Sequence, residues 1–198
     1  MPCMQKIHFT FTSNRAASRR QALRTVAGVA LMAALPLSAQ ARLALSTAIN
    51  RTARFRALSQ RMAKAYAQLF LGVLPDRARE VLTTARQLVH SGFDELDQHE
   101  WPADVAKLLA EVRTQSGRLE ALTAQTPTKE LVAQVAVQSD RMMDAANAAT
   151  LALEKLAQGG TAKLVNLAGR QRMLTQRMAK NYNLQALGLD SKAARDLL

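Results

Sequence analysis

The chain has 198 residues, with 27 Lys and Arg against 15 Asp and Glu, a net charge of +12 and a pI of about 10.8. Aromatic residues make up 4% and the single cysteine is Cys3, which excludes a disulfide scaffold or a thiolate metal centre. Few rings are left to stack on bases, so the basic charge does not by itself read as nucleic-acid binding.

Residues 1–41 read as an export signal. Ser18 to Arg24 holds a twin-arginine arrangement, although Ala22 stands where such signals usually carry a bulky apolar residue. A moderately apolar run from Val26 to Leu37 follows, then Ala39-Gln40-Ala41, a small-x-small cleavage site. That run is short of the ~20 residues that span a bilayer, so cleavage after Ala41 and a periplasmic location are expected rather than anchoring. Cleavage removes Cys3 and five basic residues, leaving 22 bases against 15 acids, net +7. Residues 42–198 have one domain's length.

Ala, Leu, Gln, Arg, Glu and Met dominate what remains, and no alternating β-branched run appears, so the fold expected is all-α, an antiparallel helical bundle. The first helix should run from about Leu43 to a break at Gly72 to Pro75. A second is expected over about Asp76–Gln98 and, past Trp101-Pro102, a third over about Ala103–Leu122. Thr126-Pro127 reads as the start of a fourth, running to about Ala157. Gly159-Gly160-Thr161 then starts a fifth, running to about Leu187. Short connections imply that direction reverses at each turn, so helices one, three and five run parallel.

Asn166 to Tyr182, NLAGRQRMLTQRMAKNY, repeats Asn50 to Tyr66, NRTARFRALSQRMAKAY, at an offset of 116 residues. Most of the matched residues are polar, among them Asn50/Asn166, Arg54/Arg170, Arg56/Arg172, Gln60/Gln176 and Lys64/Lys180. A shared packing role would repeat only the apolar spacing, so the motif reads as a binding element used twice. The two copies can face each other across a local pseudo-twofold axis. Alternatively, four helices are followed by the first helix of an unfinished second unit, which a partner chain would complete.

A helical wheel sorts the second copy into three faces. Leu164, Leu167, Leu174 and Met178 form an apolar stripe expected to be bundle core. Asn166, Arg170, Met173, Arg177 and Lys180 form a basic face. Ala168, Thr175 and Ala179, with Arg172 at their edge, form a small face for close helix approach. Thr52, Ser59 and Ala63 repeat it beside Arg56, so the two guanidinium groups are placed to clamp a planar anion. Residues 42–75 and 155–189 each hold six bases and no acid, whereas residues 76–154 hold 13 acids and eight bases. That segregation serves an anion site, or equally ion pairs between the outer arginines and the acidic middle.

N-x-A-G-R-Q-R-M-L-(S/T)-Q-R-M-A-K, Asn166 to Lys180 here, resembles the signature helix of the PilJ-type sensor domain. This is the N-terminal module of a type IV pilus chemotaxis transducer, related to the sensor domain of the nitrate/nitrite kinases NarX and NarQ. The first copy matches less well, with Ala53 for the glycine and Phe55-Arg56-Ala57 for Gln-Arg-Met. The resemblance implies a bundle, usually dimeric, in which signature helices meet and an arginine from each binds nitrate or nitrite. That arginine stands three residues after the motif glycine, which puts it at Arg172 here and at Arg56 in the first copy. The ligand set so implied is Arg56 and Arg172, with Asn50, Asn166, Gly169, Arg54 and Arg170 near them. Signalling would pass to a membrane-bound receptor or kinase, and no cofactor or metal is called for. His90 and His99 among acids read as a solvated turn, and no nucleophile–base pair, phosphate loop or H-E-x-x-H marks an enzyme. The other reading is a dimerisation or docking module without a ligand.

Overall fold

In the computed structural model, residues 37–157 and 160–189 are described, with side chains from residue 45 onward. Among them five helices follow one another: α1 Leu37–Leu71, α2 Pro75–Leu96, α3 Ala103–Thr123, α4 Lys129–Ala157 and α5 Gly160–Ala186. By their contacts the residues group as 1–40 and 41–198, and the second group is the body described here. The expected export signal lies outside the described residues except for its last five, which open α1.

The all-α expectation is met, and helix ends fall within a few residues of those read from the sequence. α1 starts earlier than expected, and the cap of α4 is Thr128, whose Oγ1 accepts from the Leu131 N–H at 3.2 Å, rather than Thr126. α1 ends in a Schellman motif. Gly72 takes φ 68, and Val73 N–H reaches the Gln68 carbonyl at 2.9 Å. α5 ends identically, with Gly188 at φ 65 and Leu189 N–H on the Leu184 carbonyl at 2.9 Å. These glycines are 116 residues apart, so the repeat extends through the cap.

Helices α1 to α4 alternate in direction around one core. Arg51 meets Glu95 at 2.5 Å and Phe55 stacks on Phe93 with centroids 4.7 Å apart. His90 meets Glu120 at 3.2 Å and Arg113 meets Asp97 at 2.8 Å. Gln138 Nε2 donates to Gln115 Oε1 at 2.7 Å, and Gln60 Nε2 to Asp140 at 3.0 Å. Residue numbers rise on α1 as they fall on α2, rise on α2 as they fall on α3 and, with Arg56 on Asn147 beside Gln60 on Asp140, rise on α1 as they fall on α4.

α5 is antiparallel to α4 and parallel to α1. Arg56 reaches Asn166, Asn183 reaches Lys64 and Arg172 reaches Asn50, at sequence separations of 110, 119 and 122. Separations that cluster around the repeat offset mean that the two motif copies lie side by side in register, as the connectivity implies.

Two expectations about the faces of α5 fail: Ala168 and Thr175, read as a face of close helix approach, are exposed, and the apolar stripe is not core. Leu164, Leu167, Leu174 and Met178 are 67%, 54%, 37% and 50% exposed, not core. The residues α5 buries are Ala162, Gly169, Met173, Lys180, Asn181 and Leu184. Part of the face read as basic therefore points inward, because Lys180 and Asn166 find polar partners on α4 while Gly169 lets the backbones close up.

Candidate functional site

α5 packs tightly against α1 at Gly169. A Cβ built on it would stand 2.7 Å from Ala53 Cβ and 2.9 Å from Arg56 Nη2. Ala53 and Gly169 are the aligned pair of the repeat, so the pseudo-twofold axis passes near this contact. One methyl fits there and two do not, which is why alanine replaces glycine in one copy only.

Arg56 sits beside that contact, 1% exposed. Its Nη1 donates to Asn147 Oδ1 at 2.8 Å, and its Nη2 to Asn166 Oδ1 at 2.8 Å and to the Asn166 carbonyl at 3.1 Å. All these acceptors are amide oxygens. Among the described residues no carboxylate bonds it, the negative charge of Glu154 arriving through the Asn166 amide, which donates to Glu154 Oε2. Burial lowers the pKa of Arg56, the nearby Arg170 and Arg172 charges lower it further, and Glu154 opposes them.

Arg172, the counterpart of Arg56, is exposed. Its Nη2 reaches Asn50 Oδ1 at 3.4 Å, the pseudo-symmetric equivalent of the Arg56–Asn166 bond. It lines a groove of about 300 Å³ between α1 and α5 together with Arg54, Arg61, Thr175 and Gln176. Among the described residues no acid lines the groove. It also lines a cleft on its other side, with Asn50 and Ala168. The arrangement offers three guanidinium groups, a hydroxyl and a carboxamide to something small and negative.

The structure thus brings Arg54 and Arg172 to one groove and Asn50 to its edge. Arg56, Asn166 and Gly169 form the buried floor beside it, and Arg170 is exposed nearby. Arg56 and Arg172 do not form an open pair of forks, since Arg56 is committed to Asn147 and Asn166. Neither makes an ion pair with the acidic middle helices among the described residues, whereas Arg51 does, with Glu95. Arg61, Thr175 and Gln176 were not assigned from the sequence. Arg61 sits one turn beyond Ala57, on the face that only the pairing of α1 with α5 defines. Asn147 and Glu154, which hold Arg56 in place, carry no sequence signal that links them to the motif.

No group of three or more His, Cys, Asp or Glu is placed to hold a metal ion among the described residues. His90 pairs with Glu120, and His99 lies edge-on to Trp101 at 5.7 Å. No described helix is long and apolar enough to cross a membrane.

No curated protein and no solved structure matches the chain. Residues 156–198 match the PilJ family model, described as type IV pili methyl-accepting chemotaxis transducer N-term. The stretch of this chain that is similar to a PilJ-type domain is therefore the one that holds α5, with the second motif copy, Arg172 and the Gly169 contact.

Proposed function

We propose that this protein is a non-catalytic sensor module that binds a small inorganic anion, nitrate or nitrite first, in the groove between α1 and α5. The observation that carries the reading is the groove itself, where Arg54, Arg61 and Arg172 converge with no acidic side chain lining it among the described residues. Arg172 is the principal ligand and Arg54 and Arg61 assist. Arg56 acts from below, adding positive potential while fixing the relative position of the helices. An anion drawn between the guanidinium groups relieves their mutual repulsion and shifts α5 along α1, a displacement of the kind sensor bundles transmit. The protein works in the periplasm after cleavage behind Ala41, and a membrane-bound receptor or kinase reads the shift.

A homodimer fits the same reading. Leu174, Met178 and Tyr182 of α5 are 37%, 50% and 69% exposed, while the identical Leu58, Met62 and Tyr66 of α1 are 3%, 0% and 0% exposed beneath the other helices. A second copy would cover the α5 face. That face, with Arg56 fully occupied inside the fold, also favours the second reading, a docking module without a ligand.

Calorimetric titration of residues 42–198 with nitrate and nitrite at low ionic strength decides between them. Saturable binding, absent with chloride and lost in Arg172→Ala, is expected. A folded protein at its native oligomeric state that takes up neither anion would leave the docking reading in place.

A further inference from the structure

Asp140 on α4 is where the two motif copies share an anion of the chain's own. Gln60 Nε2 donates to Asp140 Oδ1 at 3.0 Å from α1, and Lys180 Nζ donates to the same oxygen at 2.8 Å from α5. The pseudo-twofold axis exchanges Gln60 with Gln176 and Lys180 with Lys64. Those two counterparts also come together, lining a cavity of about 420 Å³ with Arg61 and, from the start of α2, Arg77. No acid lines it. Arg77 is held by Glu80 at 2.5 Å, but Lys64 Nζ, Arg61 and Gln176 make no side-chain hydrogen bond or ion pair among the described residues. Gln60 and Gln176 both bury Oε1 without a partner, so in each copy the amide N–H₂ is the end left to donate, and in the first copy it donates to a carboxylate.

We propose that the cavity beside Lys64 and Gln176 is a binding site for a small carboxylate, which there takes the part that Asp140 plays across the axis. One carboxylate oxygen accepts from both Lys64 Nζ and Gln176 Nε2, and Arg61 offers its fork to the other oxygen or to a second carboxylate. Burial and the charge of Arg61 lower the pKa of Lys64, a cost that an incoming anion reverses. Bound there, the ligand braces α1 and α5 against the start of α2, as Asp140 braces them against α4. The site shares Arg61 and Gln176 with the nitrate groove and differs from it in Lys64 and Arg77.

Titration of the full chain with succinate and with acetate tests this. Saturable binding is expected, tighter for the dicarboxylate. Losing the charge-assisted bond in Lys64→Gln should weaken it by about tenfold or more, while Lys64→Arg retains part of it. Gln176→Leu, a change at a half-buried position, should weaken it several-fold and serves if the lysine variant does not fold. No saturable binding of either acid, or wild-type affinity in both Lys64→Gln and Gln176→Leu, overturns the proposal. Arg172→Ala separates the two sites, since it is expected to keep succinate binding while losing nitrate. Failure of nitrate to bind therefore leaves this site standing, and the converse holds.

Discussion

Arg56 and Arg172 are the same residue in the same motif, and their environments set them apart. Arg56 is enclosed by α4 and α5 and bonded to amide oxygens, whereas Arg172 faces a groove. The sequence makes both arginines legible as special, but burial by α4 and α5 is a property of assembly that local spacing does not carry. Arg56→Met should cost about 1–3 kcal/mol in urea unfolding, because the half-buried Asn147 and Asn166 lose the donor their oxygens face. Gly169→Ala should cost about 1–3 kcal/mol through overpacking against Ala53, partly offset by the better helix propensity of alanine. Lys180 supplies a pH test. Burial lowers its pKa, and Asp140 opposes the shift without cancelling it. Between that lowered value and the unfolded value of about 10.4, the unfolded chain binds more protons than the folded one, so stability rises with pH across the window. Tyr66, raised by burial, acts in the opposite sense above about pH 10. It is common to wild type and Lys180→Met, so the difference between their unfolding free energies from pH 8 upward isolates the lysine.

At the scale of the element, the breaks at Gly72 to Pro75, Trp101-Pro102 and Gly160 were readable because glycine and proline punctuate helices through backbone geometry alone. The faces of α5 were readable too, but not which of them turns inward. A wheel assigns the apolar stripe to the core by default. Here Gln171 interrupts that stripe where α1 has Phe55, and Lys180 is buried because Asp140 awaits it. The identical leucines of the two copies offer a controlled comparison. Leu58→Ala should destabilise by about 3 kcal/mol through the cavity it leaves. Leu174→Ala should change unfolding of the dilute monomer by less than about 1 kcal/mol, since little burial is lost. Sedimentation should instead register it as weaker self-association.

In the whole molecule, a duplicated helix is placed beside itself in parallel, and the acidic middle lies on one side of the pair. Chain order and short turns made this arrangement legible, since four reversals, an even number, return α5 to the direction of α1. The charge segregation was equally plain, yet its outcome is divided: Arg51 and Lys180 are ion-paired with the middle helices, whereas Arg54, Arg61 and Arg172 keep to the groove. Increasing ionic strength should therefore weaken nitrate binding in calorimetry through screening, with little loss in the melting temperature, because the groove is open and Lys180 itself is buried.

The in-register pairing of α1 with α5 also sets an order of events. The partners that hold α5 in place, from Asn50 to Glu154, lie on α1 and α4, the first and last of the preceding helices, so it has nowhere complete to dock until both have formed and packed together. α5 thus docks after α1 and α4. Its outer face buries little, and of its apolar side chains Ala162, Met173 and Leu184 are the buried ones, so its detachment exposes little apolar surface of its own. Amides of α5 should exchange with deuterium by a subglobal opening that leaves those of α1 protected, although the two helices carry the same words.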